Sequence, residues 1–247
     1  MAPCWNRPPA PDTPEAVIRS YQPRDHAAVR RICAATGFLG APIDPVFEDR
    51  ELFADYLTDY YLRMEPGAIW VCELDGEVRG YLLGCSRPLL HQVFQATNNL
   101  TVAIRGAYRC YTRPYKKSSR DFLRWVVVNA WREVPAAPAL TPHFHINLLP
   151  EARRRIYAQA LIEAFLELLH RRGRRRVYGQ MITYEGRRTE ALFARYGFRL
   201  LARSEITKYR RFYPGRVFLS TVVRDLSGGP ALVGRSRRAG ESAQRKA

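Results

Sequence analysis

The chain has 247 residues, 47% of them apolar, enough for a real hydrophobic core in one large domain or two small ones. Forty lysines and arginines against 23 aspartates and glutamates give a formal net charge of +17. That balance draws anionic partners (nucleic acid, anionic membrane or an anionic small molecule) without choosing among them. No run of about 18 apolar residues occurs and the opening MAPCWNRPPAPDTPE has no apolar centre, so neither a membrane-spanning helix nor a signal peptide is expected.

Only Lys116, Lys117, Lys208 and Lys246 are lysines; the remaining positive charge is arginine. It reads mainly as a solvated basic surface, and nucleic acid is not the expected partner. Cys4, Cys33, Cys72, Cys85 and Cys110 are odd in number and never form a C-x-x-C pair. A disulfide framework and a structural zinc site are therefore not expected, and the simplest setting is a reducing, cytoplasmic one.

Residues 1–14 are Pro-rich and read as disordered. Val17 to Tyr21 is a short strand. Pro23 and Asp25 open a helix with Val29, Ile32 and Cys33 on one face, ending near Gly37. Phe38 to Pro45 is a loop, and Asp49 to Met64 a second helix with a Leu52, Phe53, Tyr56, Leu57, Tyr60 stripe. Ala68 to Leu74 and Val78 to Cys85 form a hairpin around Asp75-Gly76. Residues 88–135 form an insert with helical pieces at Leu100 to Tyr111 and Arg120 to Trp131, followed by a loop at Pro135 to Pro142. His143 to Leu149 is a strand. The helix after it stops near Gly173, and Val177 to Tyr184 is a strand. Arg187 to Tyr196 is a helix, and Phe198 to Ser204 and Arg216 to Val223 are strands. The tail 227–247 is polar, basic and read as disordered. Such an order calls for an α/β fold with a mixed sheet and helices on both faces.

The most informative stretch is Phe144 to Phe165, FHINLLPEARRRIYAQALIEAF. A strand runs through Pro150 into three arginines and then an amphipathic helix. Free N–H groups and positive charge at a helix start make an anion site, which points to a ligand with a pyrophosphate.

With HINLLPEARRRIYAQAL (His145 to Leu161), VRGYLLGC (Val78 to Cys85) and ALFARYGF (Ala191 to Phe198), the chain resembles the GNAT acetyltransferase family over roughly Glu15 to Asp225. The resemblance implies the GNAT fold: a mixed, mostly antiparallel central sheet with helices on both faces, here with a helical insert between the third and fourth strands. It implies a domain over 15–226 and acetyl-CoA as cosubstrate. Its strand would pair with the pantetheine arm, and a Q/R-x-x-G-x-G/A loop would hold the pyrophosphate. Laid on this chain, the cofactor residues are Asn147, Leu148, Leu149, Arg153, Arg154, Arg155, Ile156, Tyr157 and Ala158. Arg153 and Ala158 fit the ends of the pattern. Ile156 stands where the middle glycine belongs, where a side chain can crowd a phosphate; arginine forks from Arg154 or Arg155 can compensate.

Acetyl transfer to an amine needs an acceptor for the amine's proton and support for the tetrahedral oxyanion. The tyrosine that the family often carries four residues before its Gly-Phe pair is Phe193 here. His143 and His145 lie two apart on one strand face, and His145 is the candidate base. Tyr184, at the end of the next strand, is the second catalytic candidate. With no third ligand evident beside the histidines, no metal is expected.

In the family the first two helices and their loop shape the acceptor pocket. Asp44, Glu48 and Asp49 there either attract an amine cation or cap and complement a helix. The insert either covers that pocket, forms a homodimer contact, or lies on an acidic surface. RRGRRR (Arg171 to Arg176) reads as a solvated helix C-terminus. Two functions remain open: direct acetyl transfer from acetyl-CoA to a primary amine, with a small molecule favoured, and a degenerate GNAT module with a sensing or interaction role and no catalysis.

Overall fold

The computed structural model describes residues 16–184 and 190–227. Among them, seven strands form one sheet in the order β1-β2-β3-β4-β5-β7-β6. The strands are β1 (Ala16–Ser20), β2 (Ile69–Leu74), β3 (Glu77–Cys85), β4 (His143–Leu148), β5 (Arg176–Tyr184), β6 (Arg199–Glu205) and β7 (Val217–Asp225). Every neighbouring pair is antiparallel except β4 and β5, which are parallel. Helices α1 (His26–Thr36), α2 (Arg50–Met64), α3 (Pro88–Thr112), α4 (Lys117–Val128) and α5 (Ala130–Glu133) precede β4. Helix α6 (Arg155–Arg171) joins β4 to β5, as a parallel connection requires, and α7 (Glu190–Ala194) precedes β6.

The β2–β3 turn shows why the hairpin was legible. Asp75 and Gly76 both take positive φ, 51° and 78°, the pairing a two-residue hairpin turn demands. Alternation along β4 then divides its side chains between two cores. Phe144 packs with Leu161 and Phe165 of α6 on one face, while His143 meets Tyr61 of α2 on the other. The α6 side is tight: a Cβ on Gly84 would come within 2.4 Å of the Phe165 ring and 2.6 Å of the Ala68 carbonyl. That glycine lets α6 settle onto β3. The opposite core gathers α1, α2, Tyr81, Leu83 and Cys85, with Leu90, Phe94, Phe122 and Trp125 of the insert packed against it.

Observed and expected boundaries differ by a residue or two for most elements. The insert differs more. Its first helix spans 25 residues and starts at Pro88, not near Leu100. The polar run QATNN hid its first turns, and Pro88 at the first helical position marks the true start. Salt bridges from Arg105 to Asp55 and Arg109 to Asp49 tie α3 to α2 and its N-cap. On its outer side Leu89, Val93, Leu100, Ile104, Tyr108 and Tyr111 are exposed. No helix among the described residues is long and apolar enough to cross a membrane. The stretch 1–14, the tail beyond Ser227 and the start of the helix expected from Arg187 lie outside the described residues.

Candidate active site

The sheet opens in its middle. Parallel pairing of β4 with β5 is confined to His143↔Tyr178 and Phe144↔Gly179. By contrast β4 pairs with β3 along its whole length, and β5 pairs with β7 along all of its own. Past Phe144 the facing backbone edges of β4 and β5 have no registered partners in each other. Unpaired strand edges of this kind accept an extended ligand by main-chain hydrogen bonding.

At the closed end of the gap lies a buried polar cluster. His143 Nε2 meets the Tyr61 hydroxyl at 2.9 Å, and His143 Nδ1 is buried with no hydrogen-bond partner. The His91 ring stands edge-on to His143 at 4.6 Å between centroids, and Tyr178 packs on its other side at 5.1 Å. His145 is next along the same face, 5.6 Å from the Tyr61 ring. Neither nitrogen of His145 is hydrogen-bonded among the described residues. Burial, then His91, pushes its imidazole down to about 4. Burial, then His145 and His91, holds His143 well below the usual histidine range, with the Thr141 backbone opposing. Burial, followed by Cys85, pushes the Tyr178 phenol up to about 12. This end of the gap is therefore a set of neutral, desolvated groups near neutral pH.

The other end is charged and open. A 3-10 turn at Pro150–Ala152 leads to Arg154, the N-cap of α6, in extended conformation. Arg154 and Arg155 are exposed and make no side-chain hydrogen bond or ion pair among the described residues. The main-chain amides of Tyr157 and Ala158 bond to the Arg154 carbonyl, at 3.2 and 3.3 Å. The Arg155 and Ile156 amides, the first two of the helix, have no such partner among the described residues.

No family model matches the sequence. Among solved structures, SsHAT superposes with a TM-score of 0.60 at 27% identity, covering 86% of this chain and 98% of that one. An N-acetyltransferase from Staphylococcus aureus Mu50 superposes at 0.51 with 15% identity, over 86% of this chain and 99% of that one. The chain has the GNAT acetyltransferase fold.

Within that GNAT frame the expected cofactor residues fall into three groups. Arg154, Arg155 and Ile156 line the open turn, and the Ile156 side chain is 62% exposed, directed away from the core. Tyr157 is buried in the α6 core and Ala158 is half-buried behind it. Arg153, Asn147 and Leu149 are already engaged. The Arg153 guanidinium donates to the carbonyls of Leu148, at 3.0 Å, and Gly40. Asn147 donates to the Tyr81 hydroxyl at 2.7 Å, and the Leu149 amide to the Arg79 carbonyl at 2.9 Å. Leu148 packs among the partly buried residues on the α6 face. The residues fit an acetyl-CoA ligand: an open β4 edge, free helix-start amides and two unpaired guanidiniums, with no side chain filling the turn.

His145 and Tyr184 share a face of the sheet without sharing a site. Tyr184 lies six positions along β5 from Tyr178, its ring packed on Tyr213 at 5.4 Å. At the rise of a strand that sets it roughly 13 Å beyond the level of His145. Sequence reasoning missed Tyr61, His91 and Tyr178, each brought to His143 by long-range packing that no local motif announces. A third group of ligand type, not evident from the sequence, does stand beside His143. One ligand atom each of Cys85, His91 and His143 lie within 4.8 Å of one another, in a set that excludes His145.

The acidic loop turns out to be structural. Asp44 is held by Arg50 in a fork at 2.8 and 2.7 Å. Asp49 caps α2 through the Leu52 amide at 3.0 Å and also takes Arg109 and Tyr115. Glu48 accepts from the Lys116 amide at 2.9 Å. None of the three has an idle carboxylate to offer an amine. The same side of the sheet carries a cleft of about 400 Å³ between α4 and residues 207–212, lined by Phe122, Trp125, Lys208, Arg211 and Phe212 among others. Burial, opposed by Glu133, brings the Lys208 amine there down to about 8.

Proposed function

We propose that the protein is an acetyl-CoA-dependent N-acetyltransferase that transfers acetyl directly to a primary amine, with a small molecule as acceptor. The observation that carries this reading is the gap between β4 and β5, leading to an α6 start with two unpaired amides and two unpaired arginines. Bound acetyl-CoA would supply the acetyl thioester. The Arg155 and Ile156 amides with the Arg154 and Arg155 guanidiniums would hold its diphosphate. The β4 edge beyond Phe144 would pair with its pantetheine amides. His145, neutral and without a hydrogen-bond partner, would take the proton of the attacking amine. The small size of the acceptor is supported by the cleft of about 400 Å³ between α4 and residues 207–212, on the α2 side of the sheet and of the size of a small-molecule site. An amine as acceptor is supported by the N-acetyltransferase of the same fold.

A second reading, a GNAT module that has lost catalysis, has its own support. Phe193 is 2% exposed in the α6 core, so the position that often carries the family's tyrosine is packing here. Calorimetric titration of the full chain with acetyl-CoA, alongside free CoA, separates the two. Micromolar binding of acetyl-CoA is expected and justifies an amine screen; absence of heat with both ligands would favour the non-catalytic module.

A further inference from the structure

We propose that Cys85, His91 and His143 together bind one zinc-class divalent cation, which clamps α3 to the closed end of the β4–β5 gap. The site is independent of acetyl-CoA and stands whether or not the transferase reading does.

The three residues come from separate elements but are held in place before any ion arrives. Cys85 and His143 are register partners, the last residue of β3 opposite the first of β4. Directly opposed residues of an antiparallel pair put their side chains on the same face. His91 lies on the first turn of α3, its amide bonded to the Arg87 carbonyl at 3.0 Å. The link from Cys85 to His91 is gripped by the buried Glu65. That carboxylate accepts from the Ser86 amide at 3.2 and 3.0 Å, from the Arg87 amide at 3.2 Å, and from the Ser86 hydroxyl. Backbone bonds of this kind fix where α3 starts, and hence where the His91 ring falls.

The donor set also fits. One thiolate and two imidazoles suit zinc, which takes mixed sulfur and nitrogen ligands and tolerates distorted tetrahedra. In a bound site the ligand atoms would stand about 3.3–3.6 Å apart, from zinc–sulfur and zinc–nitrogen lengths of about 2.3 and 2.0–2.1 Å. Here they lie within 4.8 Å, so closure asks for roughly 1 Å of side-chain movement. Three protein ligands leave the fourth position to water or a small donor.

One feature of the cluster is otherwise hard to account for. His143 Nδ1 is buried without a well-formed hydrogen bond, the Thr141 backbone giving the imidazole only a loose contact, which is costly unless something better occupies it. Edge-on ring packing explains the contacts of His143 with His91 but leaves that nitrogen unpaired. Meanwhile Tyr61 occupies the other nitrogen at 2.9 Å, the outer hydrogen bond that orients a ligating histidine. Zinc binding would release the Cys85 thiol proton to solvent, leaving one thiolate and a doubly charged cation. The Glu65 carboxylate, joined to Tyr60 at 2.5 Å, with Tyr60 next to Cys85 Sγ at 3.9 Å, lies one residue further out and shares its negative charge with Arg172 at 3.8 Å.

The full chain is expected to retain about one zinc per molecule after dialysis, read by elemental mass spectrometry. Titration of the metal-free chain with cobalt should produce a thiolate-to-cobalt charge-transfer band. That band should vanish in C85S, and H91Q should weaken cobalt binding by at least about 100-fold, since loss of a ligand exceeds loss of an outer-shell partner. Removing the metal with a chelator should lower the melting temperature of the wild-type chain and leave that of H91Q unchanged. H91Q serves because His91 is only partly buried, so its replacement leaves the core and the Cys85 thiol in place. The proposal is overturned if the wild-type chain gives no charge-transfer band and retains no zinc. It is equally overturned if metal is retained undiminished by both C85S and H91Q, which would locate the ion elsewhere.

Discussion

At its first residue β4 presents His143 to Tyr61, His91, Cys85 and Tyr178, in surroundings that keep every one of these groups neutral. Where β4 ends, the chain turns through Pro150 and presents Arg153, Arg154 and Arg155 to solvent. The two ends are built on opposite physics. At the closed end, polar groups have lost their water, and each hydrogen bond or missing partner counts heavily because the local dielectric is low. At the open end, Arg153 is tied to the Leu148 and Gly40 carbonyls, while Arg154 and Arg155 keep their charge in water and contribute little until an anion arrives. His145 lies between them, half-buried and facing the gap that leads to the second.

The largest expected effect tests that junction. His145→Gln keeps the size and polarity of the side chain but removes the proton acceptor, so kcat should fall by about 10²–10⁴-fold with little change in acetyl-CoA affinity. Steady-state kinetics paired with calorimetry would read both. A rate within a few-fold of wild type would remove His145 from the chemistry and make it one more packed member of the closed end.

A smaller effect is expected at the open end. A hydrogen bond to a charged group contributes about 1.5–3 kcal/mol, less where both partners stay exposed to solvent, so Arg154→Ala with Arg155→Ala should together raise the acetyl-CoA Kd by roughly 10–100-fold. The loss should shrink as salt rises, because these exposed charges are screened. Unchanged affinity would mean the helix-start amides suffice, and that the arginines are a solvated surface after all. Melting temperature should barely move, since neither side chain is paired in the free protein.

The sequence was most legible where structure is local. Asp75-Gly76 announces its own turn, because only a few residue types tolerate two successive positive φ values. The β4–turn–α6 stretch shows its arginines and its helix start within a few residues. What stayed hidden was long-range. Tyr61 meets His143 across 82 positions, and nothing near either residue signals the other. Cys85 looked inert without a second cysteine, yet its sheet partner is a histidine. Acidic residues 44, 48 and 49 left open a choice between drawing an amine and supporting a helix, and Arg50, Arg109 and Lys116 engage them in the fold. Helix α3 was misjudged because QATNN carries weak propensity, while packing on α2 decides its length.

The smallest effect concerns the one departure from the family's loop pattern. On sequence grounds Ile156 stands where glycine belongs and should crowd a phosphate. In the structure it is the second residue of α6 with its side chain 62% exposed, so the turn is not filled by it. Ile156→Gly should therefore leave acetyl-CoA affinity within about 2–3-fold, while costing roughly 0.5–1 kcal/mol of helix stability through added backbone freedom. Calorimetry and thermal melting would measure the two separately. A gain of tenfold or more in affinity would mean that the side chain turns inward when the diphosphate arrives. The open end would then owe its weakness to a residue that faces away from it in the free protein, and the contrast between a fixed closed end and an accommodating open one would become sharper.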